Sequence, residues 1–600
     1  MIGEQRQRLG MARRPVPVFI LVWLGVVAMM VLLSPHIFKH RFPDVDDALR
    51  LVQVRDLMTG QGWFDLHQYR MTPPDGTLMH WSRLVDLPLA GMIRLLALFM
   101  PLATAEYATA VTVPLLLLLG TMLTVGKLAH EKLGLKVATL ACAIFALAPM
   151  VPAQFQPLRI DHHGWQVMTI AIAMWGIARR DAARGAIVAG LAMAAGLIIS
   201  LETIFMSAGF ALVLAGRWLA DHEQRHNLVR YLQSLAGGLL VLFALTRGLP
   251  DLAAHRDAIS PPHLAFFVIM AAGATALAMV RQPSRALMLG GLAGCGVAGL
   301  AVIGWWAPQI LAPPFAGLDP LVREFWYENV GEGRPLWQQA WVHASAEAFQ
   351  CLCALGIAIH CAVRGDQGLR RWWGEYAVLL AVAVVSGLLT YRSIAFAGLM
   401  ATIPFGWFAA QMIARWQSAQ ALRPKLLAAA ALYLVLMPYP LMSVLYSVLA
   451  TPEEDALLDD TDMTCAIHRT AGLLNRLPTG TLFAPLDIGP NLLLDTHHSI
   501  IASGHHRSEA AMHDVIEAFT SDPETARRHI LAHKADYVVA CVDMHEVLLY
   551  EKEGDPQSLA ARLVSGNPPD WLEPIALGGP DGLRAWRVLP RQPARTLSQR

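Results

Sequence analysis

Residues Val16–Leu33 read VPVFILVWLGVVAMMVLL, and Phe42-Pro43-Asp44-Val45-Asp46-Asp47-Ala48 follows shortly after. The first stretch carries no charge and has about the 20 residues that a helix needs to cross a bilayer. Arg6, Arg8, Arg13 and Arg14 precede it; Pro35, His36, Phe38 and Lys39 follow it, in place of a small-residue cleavage site. The pattern is that of a retained first span with its basic end in the cytoplasm, not of a removed signal peptide.

Similar apolar runs recur outward from this one, giving about thirteen spans. They fall near 16–34, 106–126, 136–152, 165–178, 186–200, 203–216, 231–248, 263–280, 286–306, 346–363, 374–391, 394–413 and 426–449. The composition agrees: 55% of the 600 residues are hydrophobic and 16% charged, against about 25% charged in soluble domains. A net charge of +1 gives no bulk attraction for nucleic acid.

Basic residues set the topology. With the N-terminus inside, the inner loops hold Lys127, Lys132 and Lys136; Arg179, Arg180 and Arg184; Arg217, Arg225 and Arg230; Arg281 and Arg285; Arg364, Arg370 and Arg371; and Arg415, Arg423 and Lys425. Each is short and basic, as the positive-inside rule requires. Loops 35–105, 153–164, 201–202, 249–262 and 307–345 and the turn at Arg392 then lie outside, as does the tail. The expected protein is integral to the cell (inner) membrane, with a cytoplasmic N-terminus and a periplasmic or otherwise extracytoplasmic C-terminal domain.

The fold class expected is a polytopic α-helical membrane protein, residues 1–450, followed by a small α/β domain, residues 451–600. In the tail, Thr481-Leu482-Phe483-Ala484 and Tyr537–Val542 read as strands, and Arg507–Ala518 and Asp522–His533 as helices. The Pro-containing end after Leu589 reads as frayed. Five cysteines lie in apolar spans; Cys465 and Cys541 fall in the tail, where they could form one disulfide.

Polar residues in the outer loops carry the chemistry. Asp44, Asp46 and Asp47 suit a hard divalent cation, or else Asp46 or Asp47 caps a helix Ala48–Thr59. Arg159-Ile160-Asp161-His162-His163-Gly164-Trp165 offers a carboxylate and two imidazoles, a metal half-site or an interfacial turn with Trp165 in an aromatic belt. Adjacent histidines on a regular element diverge, so one imidazole at most is expected to join Asp161. Asn329-Val330-Gly331-Glu332-Gly333-Arg334-Pro335 presents one carboxylate on a glycine-flanked loop, and Tyr391-Arg392-Ser393 places a permanent cation in a turn between spans, as a phosphate fork or a snorkelling side chain. The charge-derived topology puts all four features on one side. An acidic metal site beside an arginine suits a sugar carried on a lipid phosphate.

At these residues the sequence resembles the catalytic subunit of oligosaccharyltransferases, in the C-type membrane glycosyltransferase superfamily. Asp47, Arg50 and Gly62-Trp63 keep the spacing of that family's first loop, and Tyr69–Gly76 (YRMTPPDG) its Pro-Gly stretch. Asp161-His162-His163 matches the Asp-His-His motif of archaeal members, and Val330–Pro335 resembles the Ser-x-Glu-x-x-Pro motif without its serine. Arg392 matches the family arginine near the penultimate span. The resemblance implies a C-type glycosyltransferase fold of about thirteen spans and an enzyme using a polyprenyl-(di)phosphate-linked donor. It also implies Asp47, Asp161 and His163 as ligands of a divalent metal (Mn or Mg), Glu332 completing a catalytic group with Asp47 and Asp46, and Arg392 on the donor phosphate.

The chain departs from the family in lacking the acceptor-reading Trp-Trp-Asp motif. Ala484–Pro490 (APLDIGP) keeps the aspartate, Asp487, and Ile500–Arg507 (IIASGHHR) offers His505 and His506 as an acceptor-facing loop. The acceptor class therefore stays open among protein, glycolipid, polysaccharide and lipid A. Asp46-Asp47-Ala48 also looks like the Asp-Glu-Ala opening of protein mannosyltransferases and aminoarabinose transferases, where the pair acts as a base. A lipid or small-molecule transporter is the rival of another class, and would carry charged or broken-helix sites near the bilayer midplane.

Overall fold

The computed structural model describes residues 15–147, 150–312, 315–449, 465, 467–578 and 582–590. The N-terminal arginines, the junction at Thr451 and the tail from Arg591 lie outside the described residues. Two compact units result: Met1–Phe38, Ser82–Ala312 and Gly331–Leu449 form the first; Lys39–Trp81, Pro313–Val330 and Ala450–Arg600 form the second.

The first unit is helical. Among the described residues, ten helices are long and apolar enough to cross a membrane. Helix Pro15–Leu33 buries only Phe19, Val26 and Met30, so its apolar surface needs lipid as solvent. Helix Ile394–Ser418 buries fifteen residues, Phe396, Leu399, Met400 and Ile403 among them, and is the packed centre of the unit. Leu102–Leu133 runs past the expected 106–126 until Gly134, whose φ of +87° lets Leu135–Ile144 start at once. The expected span 426–449 is instead two helices, Leu422–Leu436 and Tyr439–Leu449, bent by 81°. Pro438 and Pro440 have no N–H to continue the ladder.

The second unit holds a hairpin of β1 (His67–Gln68) and β2 (Thr77–Leu78) and a five-stranded mixed sheet of order β4-β3-β5-β7-β6, where β3 is Thr481–Phe483, β4 Ser499–Ile500, β5 Tyr537–Cys541, β6 Leu572–Ile575 and β7 Leu583–Val588. Strand β3 pairs in parallel with β4 and β5, and β7 antiparallel with β5 and β6. The run YVVAC of β5 is buried throughout, as a strand covered on both faces must be. Val538 and Ala540 join Phe483, Trp586, Met512, Val515 and Phe519 of one core. Val539 and Cys541 join Leu482, Ala585, Leu492 and Leu493 of the other.

Leu49, Val52, Met71, Met79 and Trp81 also belong to this second core, so segment 39–81 is built into the sheet's hydrophobic interior. Arg70 fixes it further, donating to the carbonyls of Leu493 and Thr496. Cys465 and Cys541 are joined as a disulfide, with Cα atoms 5.8 Å apart.

Candidate active site

Helix His163–Ile177 begins where loop 154–162 ends. The Asp161 side chain shapes that start: Oδ1 accepts the His163 backbone N–H at 3.0 Å, and Oδ2 lies 2.7 Å from His163 Nδ1. Gly164 is needed beside it, because a Cβ there would lie 2.9 Å from the carbonyl oxygen of Gln154. His162, at the helix cap with φ −92° and ψ −13°, precedes the regular helix. The two rings therefore stack, with centroids 4.3 Å apart, and do not diverge. This corrects the expectation of a single imidazole: one donor atom each of Asp161, His162 and His163 falls within a 4.8 Å group.

A chain of ion pairs extends from Asp161. Arg159 Nε lies 3.0 Å from Asp161 Oδ2, and its Nη2 3.7 Å from Glu332 Oε2. Glu332, in the turn Gly331–Gly333, meets Arg392 Nη1 at 3.4 Å. Arg392 also pairs with Glu202 of the turn Leu201–Thr203, and Gln166 Nε2 donates to Glu202 at 3.3 Å. The backbone holds these turns together: Tyr391 N–H donates to the Arg334 carbonyl at 2.9 Å, and Tyr391 Oη to Glu347 at 3.1 Å. Three carboxylates, two guanidiniums and two imidazoles thus form one network from loops more than 200 residues apart in sequence.

Burial opposes ionisation of Asp161, but Arg159, His163 and His162 hold it well below the usual carboxylate range. Glu332 is also lowered: burial opposes its charge, and His163, Arg392 and Arg159 outweigh that. Both are anionic at neutral pH.

The residues fit a divalent metal. With its Nδ1–H directed to Asp161, His163 presents Nε2 as a lone-pair donor, and that atom is buried with no hydrogen-bond partner. A carboxylate behind an imidazole is the usual support of a metal-bound histidine.

Of the sequence-derived residues, Asp161, His163, Glu332 and Arg392 come together in the first unit. Asp46, Asp47, Asp487, His505 and His506 belong to the second. There Asp44, not Asp46 or Asp47, caps the helix, which starts at Val45; its Oδ1 accepts the Asp46 N–H at 2.9 Å. Asp47 sits in the first turn, fully buried, where the helix dipole favours a carboxylate. His505 Nε2 lies 2.9 Å from His80 Nδ1 and stacks on His506. Arg50 lies over the Trp81 ring at 4.4 Å. Asp487 is exposed, in the turn after β3, and its N–H donates to Glu546 at 2.9 Å.

Sequence reasoning gave no role to Arg159, Glu202, Gln166 or His80. Glu202 had one signal, a carboxylate in a two-residue break between apolar runs. Arg159 had another, its place two residues before the Asp-His-His motif.

The fold is similar to that of solved archaeal oligosaccharyltransferase structures. The archaeal oligosaccharyltransferase AglB from Archaeoglobus fulgidus, in complex with an inhibitory peptide and a dolichol-phosphate, matches with a TM-score of 0.64. The match covers 90% of this chain and 70% of that one at 12% identity. The Archaeoglobus fulgidus enzyme in complex with Zn and sulfate gives 0.61, 96% and 74% at 11% identity. The form tethered to an acceptor peptide with an NVT sequon gives 0.61, 97% and 75% at 12% identity. At such identities the likeness is one of fold. No family model matches the chain, and no curated protein matches it by sequence.

Proposed function

We propose that the chain is a membrane glycosyltransferase that moves a sugar or oligosaccharide from a polyprenyl-(di)phosphate to an acceptor at the extracytoplasmic face, assisted by a divalent metal. The observation that carries this reading is the network His163–Asp161–Arg159–Glu332–Arg392–Glu202. Residues 1–450, with about thirteen spans, would form the transferase part, and 451–600 an extracytoplasmic domain. A disulfide in that domain accords with an oxidising compartment.

In this reading Asp161 and His163 hold the metal, and the sequence motif rather than a distance adds Asp47. The bound ion would stabilise negative charge developing on the departing lipid phosphate. An imidazole in the donor set suits a Zn²⁺-like ion better than Mg²⁺, which prefers oxygen, and the two carboxylates also suit Mn²⁺. Glu332 keeps Arg159 and Arg392 in place, and Arg392 forks onto the donor phosphate. The dolichol-phosphate and sequon peptide of the Archaeoglobus structures make a polyprenyl-linked donor and a peptide acceptor the first pair to assay, with Asp487, His505 and His506 as candidate acceptor contacts.

EDTA is expected to suppress transfer and Mn²⁺ to restore it. Transfer unaffected by chelation would overturn the metal-assisted reading and favour the Asp46–Asp47 base of the mannosyltransferase-like alternative.

A further inference from the structure

Within the second unit, helices Glu509–Thr520 and Pro523–Ala532 pack as a hairpin. His513, Asp514 and Glu517 lie on one face of the first helix; His529 and the following cap residue His533 are four apart on the second. Side chains four apart share a helix face. The hairpin therefore aims three imidazoles and two carboxylates into one half-exposed patch, made of none of the residues assigned to the transferase.

The distances within this patch are those of a ligand set. His513 Nδ1 lies 3.6 Å from Asp514 Oδ1 and 3.9 Å from Glu517 Oε2. His529 Nδ1 lies 3.2 Å from the same Asp514 Oδ1, and its Nε2 2.7 Å from Glu517 Oε2. Ligands at about 2.0–2.1 Å from a tetrahedral ion stand roughly 3.3 Å from one another. The donor atoms of His513, Asp514 and Glu517 all fall within a 4.8 Å group.

A supporting layer is also present. His513 turns Nδ1 toward the two carboxylates while Nε2 lies 4.0 Å from Asp319 Oδ1. His533 Nε2 holds the other oxygen of Asp514 at 2.7 Å. An imidazole with a carboxylate behind it, and a ligating carboxylate with its second oxygen engaged, are the outer contacts that fix metal ligands.

We infer that His513, Asp514, Glu517 and His529 bind a borderline divalent ion of the Zn²⁺ type, with Asp319 and His533 orienting two of them. Mixed imidazole and carboxylate donors select such an ion over Ca²⁺ or Mg²⁺. The ion clamps the hairpin and, through Asp319, the segment that runs on from it. That segment is otherwise held by the Asp319 N–H to Glu509 at 2.5 Å and by Leu318, Val322 and Phe325 in the core. This site does not rest on the proposed transferase reading.

Co²⁺ titration of the full-length detergent-solubilised protein tests it. A tetrahedral d–d band with tight binding is expected in the wild type and in His163→Ala. His513→Ala/His529→Ala should lose that band and one equivalent of metal. Asp319→Asn should keep the band and weaken affinity roughly tenfold. An unchanged stoichiometry and spectrum in the His513/His529 variant would overturn the proposal, leaving the patch a set of histidine–carboxylate ion pairs.

Discussion

The Asp161–His163 pair anchors the ion-pair network of the first unit. Asp161 is 2% exposed and fully engaged by a backbone N–H, an imidazole and a guanidinium, so its charge cannot be lost cheaply. Arg159→Ala is expected to destabilise the first unit by about 3–5 kcal/mol, because a buried carboxylate loses its counter-ion; thermal unfolding in detergent measures this. Glu202→Gln should release Arg392 and lower donor turnover without disturbing Asp161, as enzyme assays with varied donor concentration would report. Asp161, His163 and Glu332 were legible as polar motifs in the loops between apolar runs, and Arg392 as a cation in a short turn between two of them. The pairings of Arg159 with Glu332 and of Glu202 with Arg392 were not, since they join residues about 170 and 190 positions apart, and no local pattern marks a pairing at that distance.

At the level of elements, the second unit shows how a loop becomes part of a core. Strands β3 and β5 and the hairpin helices follow from apolar runs and helical spacing, and the structure places them where those patterns indicate. The contribution of residues 39–81 has no such signature, because Leu49 and Val52 meet their sheet partners more than 400 positions later. Leu49→Ala is expected to cost about 2–5 kcal/mol, read as lost protection of β5 amides in hydrogen exchange. A pH dependence follows from Glu546, buried among the Leu486 and Asp487 amides and Tyr550. Burial and the neighbouring Asp487 push its carboxyl up to about 8. A raised carboxyl favours the folded state below the unfolded value of 4.5, and that stability is lost as pH rises through 8. The second unit should therefore unfold at least a few degrees lower at pH 9 than at pH 5 (about 2–4 °C per kcal/mol). Asp487→Asn should flatten the difference.

On the scale of the whole molecule, the first unit carries different chemistry at the two ends of the same helices. Helix His163–Ile177, roughly 22 Å long, starts at the acidic network. It ends where Lys127 and Arg179 both lie 4.4 Å from the Trp175 ring. Arg217 donates to the Ile177 carbonyl at that end and pairs with both oxygens of Glu375. Helices Ile204–Ala220 and Arg370–Leu389 likewise run between the Glu202–Arg392 end and the Arg217–Glu375 end. Lys127, Arg179 and Arg217, from three of the basic loops read from the sequence, thus gather at the end opposite the network. In sealed inverted vesicles of a cysteine-free background, Arg184→Cys should label with an impermeant maleimide and Gly333→Cys should not.

The central claim is that the Asp161–His163 end of this unit turns over a lipid-linked sugar. Its most direct test is release of polyprenyl (di)phosphate from that donor by purified wild type and by His163→Ala, compared at equal membrane insertion. The account predicts turnover by the wild type and a loss of at least about a hundredfold in the variant. Equal turnover by the two proteins would contradict it.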